Sequence, residues 1–111
     1  MVKNYELITN STDSLLLCLL SESPMYGYHI IKELRSRSQG YFNFKEGTLY
    51  PALHRLEGAG LIIGNWQLLA NGQQRKYYRI TEKGLLRLVE KRDQWQDFTT
   101  AMNRVIKSVE A

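Results

Sequence analysis

Side chains that can hydrogen-bond to phosphates or base edges are concentrated in one short segment, residues 46–59. Within it, Leu49, Leu53 and Leu56 recur at the i, i+4, i+7 spacing of a helix that packs one face against a core. The side chains outside that stripe are Thr48, Tyr50, Pro51, His54 and Arg55. Hydroxyl, imidazole and guanidinium groups on the outer face of a helix are suited to contact a nucleic acid.

A basic hairpin is predicted directly after this helix. Two strand-like runs, residues 61–68 and 75–80, flank Asn71-Gly72, a dipeptide typical of tight hairpin turns. The second run contains Arg75, Lys76, Tyr77 and Arg79. Residues 61–80 hold three basic side chains and no acidic one, which favours phosphate contact, although solvated strand faces also collect Lys and Arg. A polar helix followed by a basic hairpin is the order in which a winged helix binds double-stranded DNA.

Each of these candidate residues also has a simpler role that the sequence leaves open. Tyr50 either contacts DNA or packs against the hairpin. His54 contacts DNA, faces solvent or, with further ligands, binds a metal. Arg55 contacts a phosphate or a guanine, or forms an ion pair with a neighbouring acid. Of the adjacent Tyr77 and Tyr78, one should enter the core, because side chains alternate between the faces of a strand.

Composition limits the class of protein. A chain of 111 residues suits one domain, and 43% hydrophobic with 23% charged residues is ordinary for a soluble protein. The net charge of +4 is mild for a nucleic-acid binder. The longest apolar run, residues 15–20, is too short to cross a bilayer, and no charged-then-apolar leader precedes it. We therefore expect a cytoplasmic protein with no membrane partner.

Little in the sequence indicates catalysis or redox chemistry. The single cysteine, Cys18, lies in the apolar run, so we expect a small buried hydrophobe in a reducing cytosol, with a redox sensor as the alternative. The sequence has no Gly-rich phosphate loop, no Ser/His/Asp set and no metal-spaced cluster. We expect no enzymatic activity, no cofactor and no metal site.

Three helices are predicted before the hairpin. Thr12 and Asp13 are candidate caps of the first, which covers the apolar run to about Ser21, while the stretch before them is either an arm or an extension of that helix. The second covers residues 26–37. Its core positions are Tyr26, Ile30, Ile31 and Leu34. Pro51 constrains the start of the third helix, because proline is best tolerated in the first turn.

The longest predicted element is a terminal helix that Thr81-Glu82 caps and that ends near Val109. It would be about 42 Å long, more than a domain this small can cover. Its apolar positions recur at spacings of three and four and are Leu85, Leu88, Val89, Trp95, Phe98, Met102, Val105, Ile106 and Val109. Such a seam needs a partner surface, most simply the same helix of a second copy. We therefore expect a homodimer with Leu88, Trp95, Phe98, Met102 and Val105 in its interface.

Four strings in this order carry a family resemblance: YGYHIIKEL at 26–34, EGTLYPAL at 46–53, LE at 56–57 with GLI at 60–62, and RKYYRITEKG at 75–84. Over roughly residues 13–88 the chain resembles the PadR family of bacterial transcriptional regulators. The short tail is similar to the subfamily with one long C-terminal helix. The resemblance implies a mostly α fold with a small β-hairpin, namely a winged helix-turn-helix over residues 1–80 and a dimerisation helix over residues 81–111.

The resemblance further implies a homodimeric repressor that places its third helix in the major groove of operator DNA and its wing near the backbone or minor groove. Lys45 departs from the family, whose members often have a small capping residue there, and it adds a charge at the DNA side. The apolar wing tip, Leu68-Leu69, is a second departure and serves either packing or a partner contact. The alternative function is a winged-helix module that binds proteins without specific DNA binding, against which the acid-free hairpin argues.

Trp95 is the candidate regulatory residue. A two-fold axis through the terminal helices would bring it near its copy, and in some short PadR proteins paired tryptophans sandwich flat aromatic drugs. Two indole faces a few ångströms apart can stack a planar aromatic molecule, so a small planar or phenolic effector could relieve repression. The alternative is that Trp95 is a large interface residue with no ligand.

Overall fold

The chain folds into four helices and a small three-stranded antiparallel sheet, in the order of a winged helix. A computed structural model describes the backbone of residues 4–110 and the side chains of residues 11–110. The elements are α1 (Asn4–Glu22), β1 (Met25–Tyr26), α2 (Gly27–Arg37), α3 (Glu46–Gly58), β2 (Ile62–Leu68), β3 (Gln74–Ile80) and α4 (Glu82–Glu110). The predicted fold class, a mostly α winged helix-turn-helix with a long C-terminal helix, is confirmed.

The first helix is longer than predicted. α1 covers Asn4–Glu22, so the described residues before Thr12, residues 4–11, are an extension of the helix and not an arm. The prediction that Thr12 and Asp13 cap this helix is therefore wrong. Both lie inside it, where Thr12 is buried and Asp13 forms an ion pair with Arg55. Within residues 4–110, no helix combines the length and apolar character needed to span a bilayer.

Leucines and isoleucines, most of them from the first three helices, form most of the core. Its fully buried side chains are Leu16, Leu17, Leu20, Ile30, Leu49, Leu53 and Ile62. The apolar stripes predicted for α2 and α3 both face this core, with one exception: Tyr26 is half-buried and belongs to β1, one residue before α2.

Cys18 is exposed, which contradicts the prediction that it is buried. At 100° per residue, Leu16 and Leu20 share one face of α1, while Cys18 lies almost opposite them. An uninterrupted apolar run hides this difference, because every position in it has the same hydrophobic character.

The sheet has the order β1-β3-β2, and β2 and β3 pair from Ile62↔Ile80 to Leu68↔Gln74. Gly72 has a φ of 87° and its N–H donates to the carbonyl of Leu69, so the hairpin turn lies where it was predicted. Tyr78 is buried and Tyr77 is half-buried, as the alternation requires. β1 was not predicted, because two residues are too few to show an alternating pattern.

Among the described residues, the capping bonds and buried side chains of the long terminal helix α4 are at its beginning. The Thr81 hydroxyl accepts the N–H of Gly84 (3.1 Å) and donates to the carbonyl of Gly60 (2.7 Å), which confirms the predicted cap. Gly84 and Leu88 are its buried residues. Beyond Leu88 most of its side chains are exposed, and the molecule measures 60 × 28 × 22 Å.

The predicted interface residues divide into two groups. Trp95, Phe98, Met102 and Val105 are each 46–66% exposed. Leu88 is 2% exposed in the core of its own protomer, because the first turns of α4 pack against α1. Its assignment to the dimer interface is therefore corrected. A core contact and an intermolecular seam have the same periodicity, so the sequence pattern could not separate them.

The contact between Gly84 and Leu61 yields a test of the anchored end of α4. A Cβ added to Gly84 would overlap the carbonyl oxygen of Leu61, a backbone atom that cannot rotate away. We expect Gly84→Ala to lower the free energy of unfolding by about 1–3 kcal/mol in urea denaturation at fixed protein concentration. Gly58→Ala is the matched control, because no atom lies within 4 Å of its added Cβ. Equal midpoints for the two variants would contradict this packing.

Candidate nucleic-acid interface

The start of the third helix is set by backbone geometry and not by a side-chain cap. Lys45 is the N-cap in an extended conformation and makes no side-chain capping bond. Its carbonyl accepts the N–H groups of Thr48 and Leu49, each at 3.0 Å. The lysine side chain is thus exposed and free of a capping role. Pro51 lies in the second turn, not in the first turn as predicted, on the exposed face of the helix.

A groove runs between the start of α2, the outer face of α3 and the wing, which comprises β2, β3 and their turn. Its volume is about 360 Å³. The side chains that line it include Tyr26, Tyr28, Tyr50, His54, Trp66, Gln74, Arg75, Lys76 and Tyr78. The structure therefore brings together four of the predicted DNA-contacting residues, from two separate elements.

Tyr50 forms one wall of this groove by packing on the start of α2. A Cβ at Gly27 would lie 2.6 Å from the Tyr50 hydroxyl oxygen, so only glycine permits this approach. Burial, followed by the charge of Glu46, raises the pKa of the Tyr50 phenol. The hydroxyl accordingly stays protonated at neutral pH and can both donate and accept a hydrogen bond.

Arg55, Thr48 and Tyr77 do not line the groove. Arg55 is on a neighbouring face of α3, where its Nη2 atom lies 3.0 Å from Oδ1 of Asp13. Both side chains are roughly half exposed, and such a pair contributes at most about 1 kcal/mol. A phosphate can therefore replace Asp13 at little cost. The Tyr77 ring packs edge-on against Tyr26 at 5.4 Å, on the strand face opposite Lys76.

Arg75 is held by an aromatic side chain. Its guanidinium carbon lies 4.0 Å from the centroid of the Tyr26 ring. Stacking of this kind fixes the guanidinium and leaves its in-plane N–H groups able to bind an anion. Tyr26 was predicted as a core residue of α2, so its support of a wing arginine was missed. The i, i+4 pattern of α2 could not reveal a contact that spans 49 residues of sequence.

Lys76 has an internal partner that the sequence analysis also missed. Its Nζ atom lies 3.2 Å from Oε1 of Glu57, in the last turn of α3. Partial burial acts to raise the pKa of the Glu57 carboxyl, but the hydrogen bonds from Lys76 and from the Gly64 N–H, with the charges of Lys76 and His54, hold it below its usual value. Glu57 therefore remains ionised at neutral pH.

A second cavity lies between α1, α4 and the segment that joins α2 to α3. Its volume is about 610 Å³, and its lining includes Leu15, Cys18, Phe42, Arg92, Trp95 and Phe98. The Trp95 and Phe98 rings are 5.8 Å apart and tilted by 32°. Although Cys18 is exposed, partial desolvation by its neighbours raises the pKa of the thiol, against the opposing charge of Arg92. The predicted regulatory tryptophan thus lies beside an apolar hollow of its own protomer.

A winged helix with its polar recognition face and basic wing on one groove defines a DNA-binding transcriptional regulator. The model of the Transcriptional regulator PadR-like family matches residues 16–90, and the chain belongs to this family. Its members are regulators, so the expectation that the chain is not an enzyme is confirmed.

Solved structures and a curated relative agree with this assignment. A transcriptional regulator from Clostridium thermocellum is 33% identical, with a TM-score of 0.81 over 89% of this chain and 96% of that one. A PadR-like regulator from Bacillus cereus is 31% identical, with a TM-score of 0.80 over 91% and 96%. Transcriptional regulator Rv3488 of Mycobacterium tuberculosis is 36% identical over 65% of this chain and 64% of its own length.

Proposed function

We propose that the chain is a cytoplasmic, homodimeric repressor that reads an operator through the groove between α3 and the wing. The observation that carries this proposal is the convergence of Tyr50, His54, Arg75 and Lys76 on one groove. Residues 1–80 form the DNA-binding unit and residues 81–111 the dimerisation helix.

The residues of this surface have different tasks. Tyr50 and His54 face the groove and are the candidates for base contacts in the major groove. Lys45, Thr48, Pro51 and Arg55 are exposed along the rest of the outer face, where they meet the phosphate backbone. Arg75, stacked on Tyr26, binds a phosphate from the wing. Base contacts then supply specificity, and phosphate contacts supply affinity and register.

Arg75→Ala tests the wing contact. It should weaken binding to the duplex upstream of the protein's own gene and to a random duplex alike, because one phosphate loses its partner. The slope of log K against log salt should flatten by about one, as measured by fluorescence anisotropy over a salt series. Lys107→Ala removes a positive charge at the far end of α4 and should leave the slope unchanged. An unchanged slope for Arg75→Ala would show that this arginine does not contact a phosphate. If the wild-type protein formed no complex with either duplex, a protein-interaction module would be favoured.

Dimerisation through α4 is supported by its exposed apolar seam. Beyond Leu88, the large side chains at seam positions are exposed by 46–81%. A stripe of this size on a projecting helix is stable in water only when a partner covers it. To bind two successive major-groove half-sites, a two-fold arrangement must place its two recognition helices about 34 Å apart.

A single charge in the seam tests this arrangement. Met102→Glu should convert the dimer to a monomer in sedimentation velocity, because it buries an unpaired carboxylate between the helices. Thr100→Glu introduces the same charge on the opposite face of α4 and should remain dimeric. If both variants sedimented as dimers, the interface would lie elsewhere.

An effector site at Trp95 is supported by the apolar hollow beside it. In a dimer, two copies of this hollow and two indole rings would lie near the axis. A ligand that stacks there can relieve repression only by binding one spacing of the recognition helices more tightly than another.

Tryptophan fluorescence tests the effector site. The chain has two tryptophans, so Trp66→Phe leaves Trp95 as the sole indole. Planar aromatic compounds should quench its emission saturably, at about one ligand per dimer, because the ring stacks against indole faces. In the matched Trp95→Phe variant, the same compounds should cause no saturable quenching of the Trp66 emission. If a broad panel of such compounds left the Trp95 emission unchanged, Trp95 would be an interface residue with no ligand.

A further inference from the structure

A single carboxylate joins the recognition helix to both strands of the wing. Oε2 of Glu57 accepts the backbone N–H of Gly64 in β2 at 3.1 Å. Oε1 of the same residue accepts Nζ of Lys76 in β3 at 3.2 Å. Glu57 is in the last turn of α3, so these two bonds connect the helix to its wing.

Glycine at position 64 makes this arrangement possible. A Cβ there would overlap Cε of Lys76 and would lie 3.1 Å from both Oε2 of Glu57 and Cε1 of Tyr78. The lysine chain therefore crosses over a bare strand position, and its Nζ atom lies 5.3 Å from the centroid of the Tyr78 ring. Any other residue at position 64 would push Lys76 away from the carboxylate.

The Glu57–Lys76 pair is better shielded than the ion pairs Arg37–Glu22 and Arg55–Asp13. The side chain of Lys76 is 23% exposed and that of Glu57 30%, against 47% and 52% for Arg37–Glu22 and 58% and 43% for Arg55–Asp13. Beyond this pair the wing extends into solvent, with Trp66 66% and Leu68 72% exposed. Among the described contacts, this pair therefore ties α3 to the wing close to the point where the wing leaves the domain.

Lys76 lines the proposed DNA groove, yet the carboxylate of Glu57 in α3 compensates its charge. A DNA phosphate that approaches it must compete with a carboxylate already at hydrogen-bond distance. A lysine held in this way neutralises less than one phosphate, and it releases less than one counterion.

We propose that Glu57 is a positioning residue that holds Lys76 for the wing and withholds its charge from DNA. This inference rests on the proposed DNA-binding function and adds a specificity role to it. Because sequence-independent binding depends on phosphate neutralisation, a withheld lysine lowers affinity for random DNA more than for an operator that base contacts also recognise.

Glu57→Gln separates this role from a purely structural one, in which Glu57 only connects α3 to the wing. The amide oxygen can still accept the Gly64 N–H, but the charge that holds Lys76 is removed. On a random-sequence duplex, the slope of log K against log salt should steepen by about one, because the freed lysine neutralises a phosphate. The preference for the duplex upstream of the protein's own gene over the random duplex should fall.

Two comparisons make the result decisive. In a Lys76→Ala background, Glu57→Gln should leave the slope unchanged, because Glu57 acts through this lysine. Glu90→Gln, which removes a carboxylate from exposed α4, should also leave it unchanged. If the wild-type protein binds DNA but Glu57→Gln does not steepen the slope, this inference alone is overturned. The same holds if Glu57→Gln steepens the slope equally in the Lys76→Ala background. Absence of any wild-type complex would overturn the proposed function and this inference with it.

Discussion

The packing of the α3 stripe into the core is the contact on which the rest of the structure depends. Leu49, Leu53 and Leu56 are at most 3% exposed and fix the rotation of the helix about its axis. With that rotation fixed, Tyr50 and His54 must face outward into the groove. Burial of each leucine contributes about 1.5–3 kcal/mol, far more than any surface polar contact. The orientation of the recognition face is thus determined by apolar packing, although the residues proposed to contact DNA are, apart from Pro51, polar.

Around that fixed helix, two cations of the wing have partners within the protein itself. Arg75 stacks on Tyr26, and Lys76 pairs with Glu57. Long basic side chains lose about 2 kcal/mol of rotamer entropy when they are immobilised. For Arg75, the stacking contact with Tyr26 meets part of this cost before any DNA arrives. The small net charge of +4 then matters less than the places where the charges are held.

Periodicity predicted the helices, the Asn-Gly turn and the cap of α4 because each depends on neighbouring residues. It did not separate Cys18 from the leucines around it, since a continuous apolar run shows no face. Leu88 was assigned to the interface because a core and a seam share one spacing. The supports of the groove, Tyr26 and Glu57, escaped prediction for another reason. Their partners are 49 and 19 residues away along the chain, and only the fold brings them together.

The direction of α4 has a geometric consequence. Gly84 lies against the backbone of Leu61 and Leu88 is buried in the core, so contacts near its start set the angle of the helix. From Gly84 to the end of α4 the helix runs for about 39 Å at 1.5 Å per residue. Over such a length, a tilt of about 3° at the base moves the far end by about 2 Å. A change near Gly84 that is too small to disturb the core can therefore displace the far end of α4 by as much as the size of an atom.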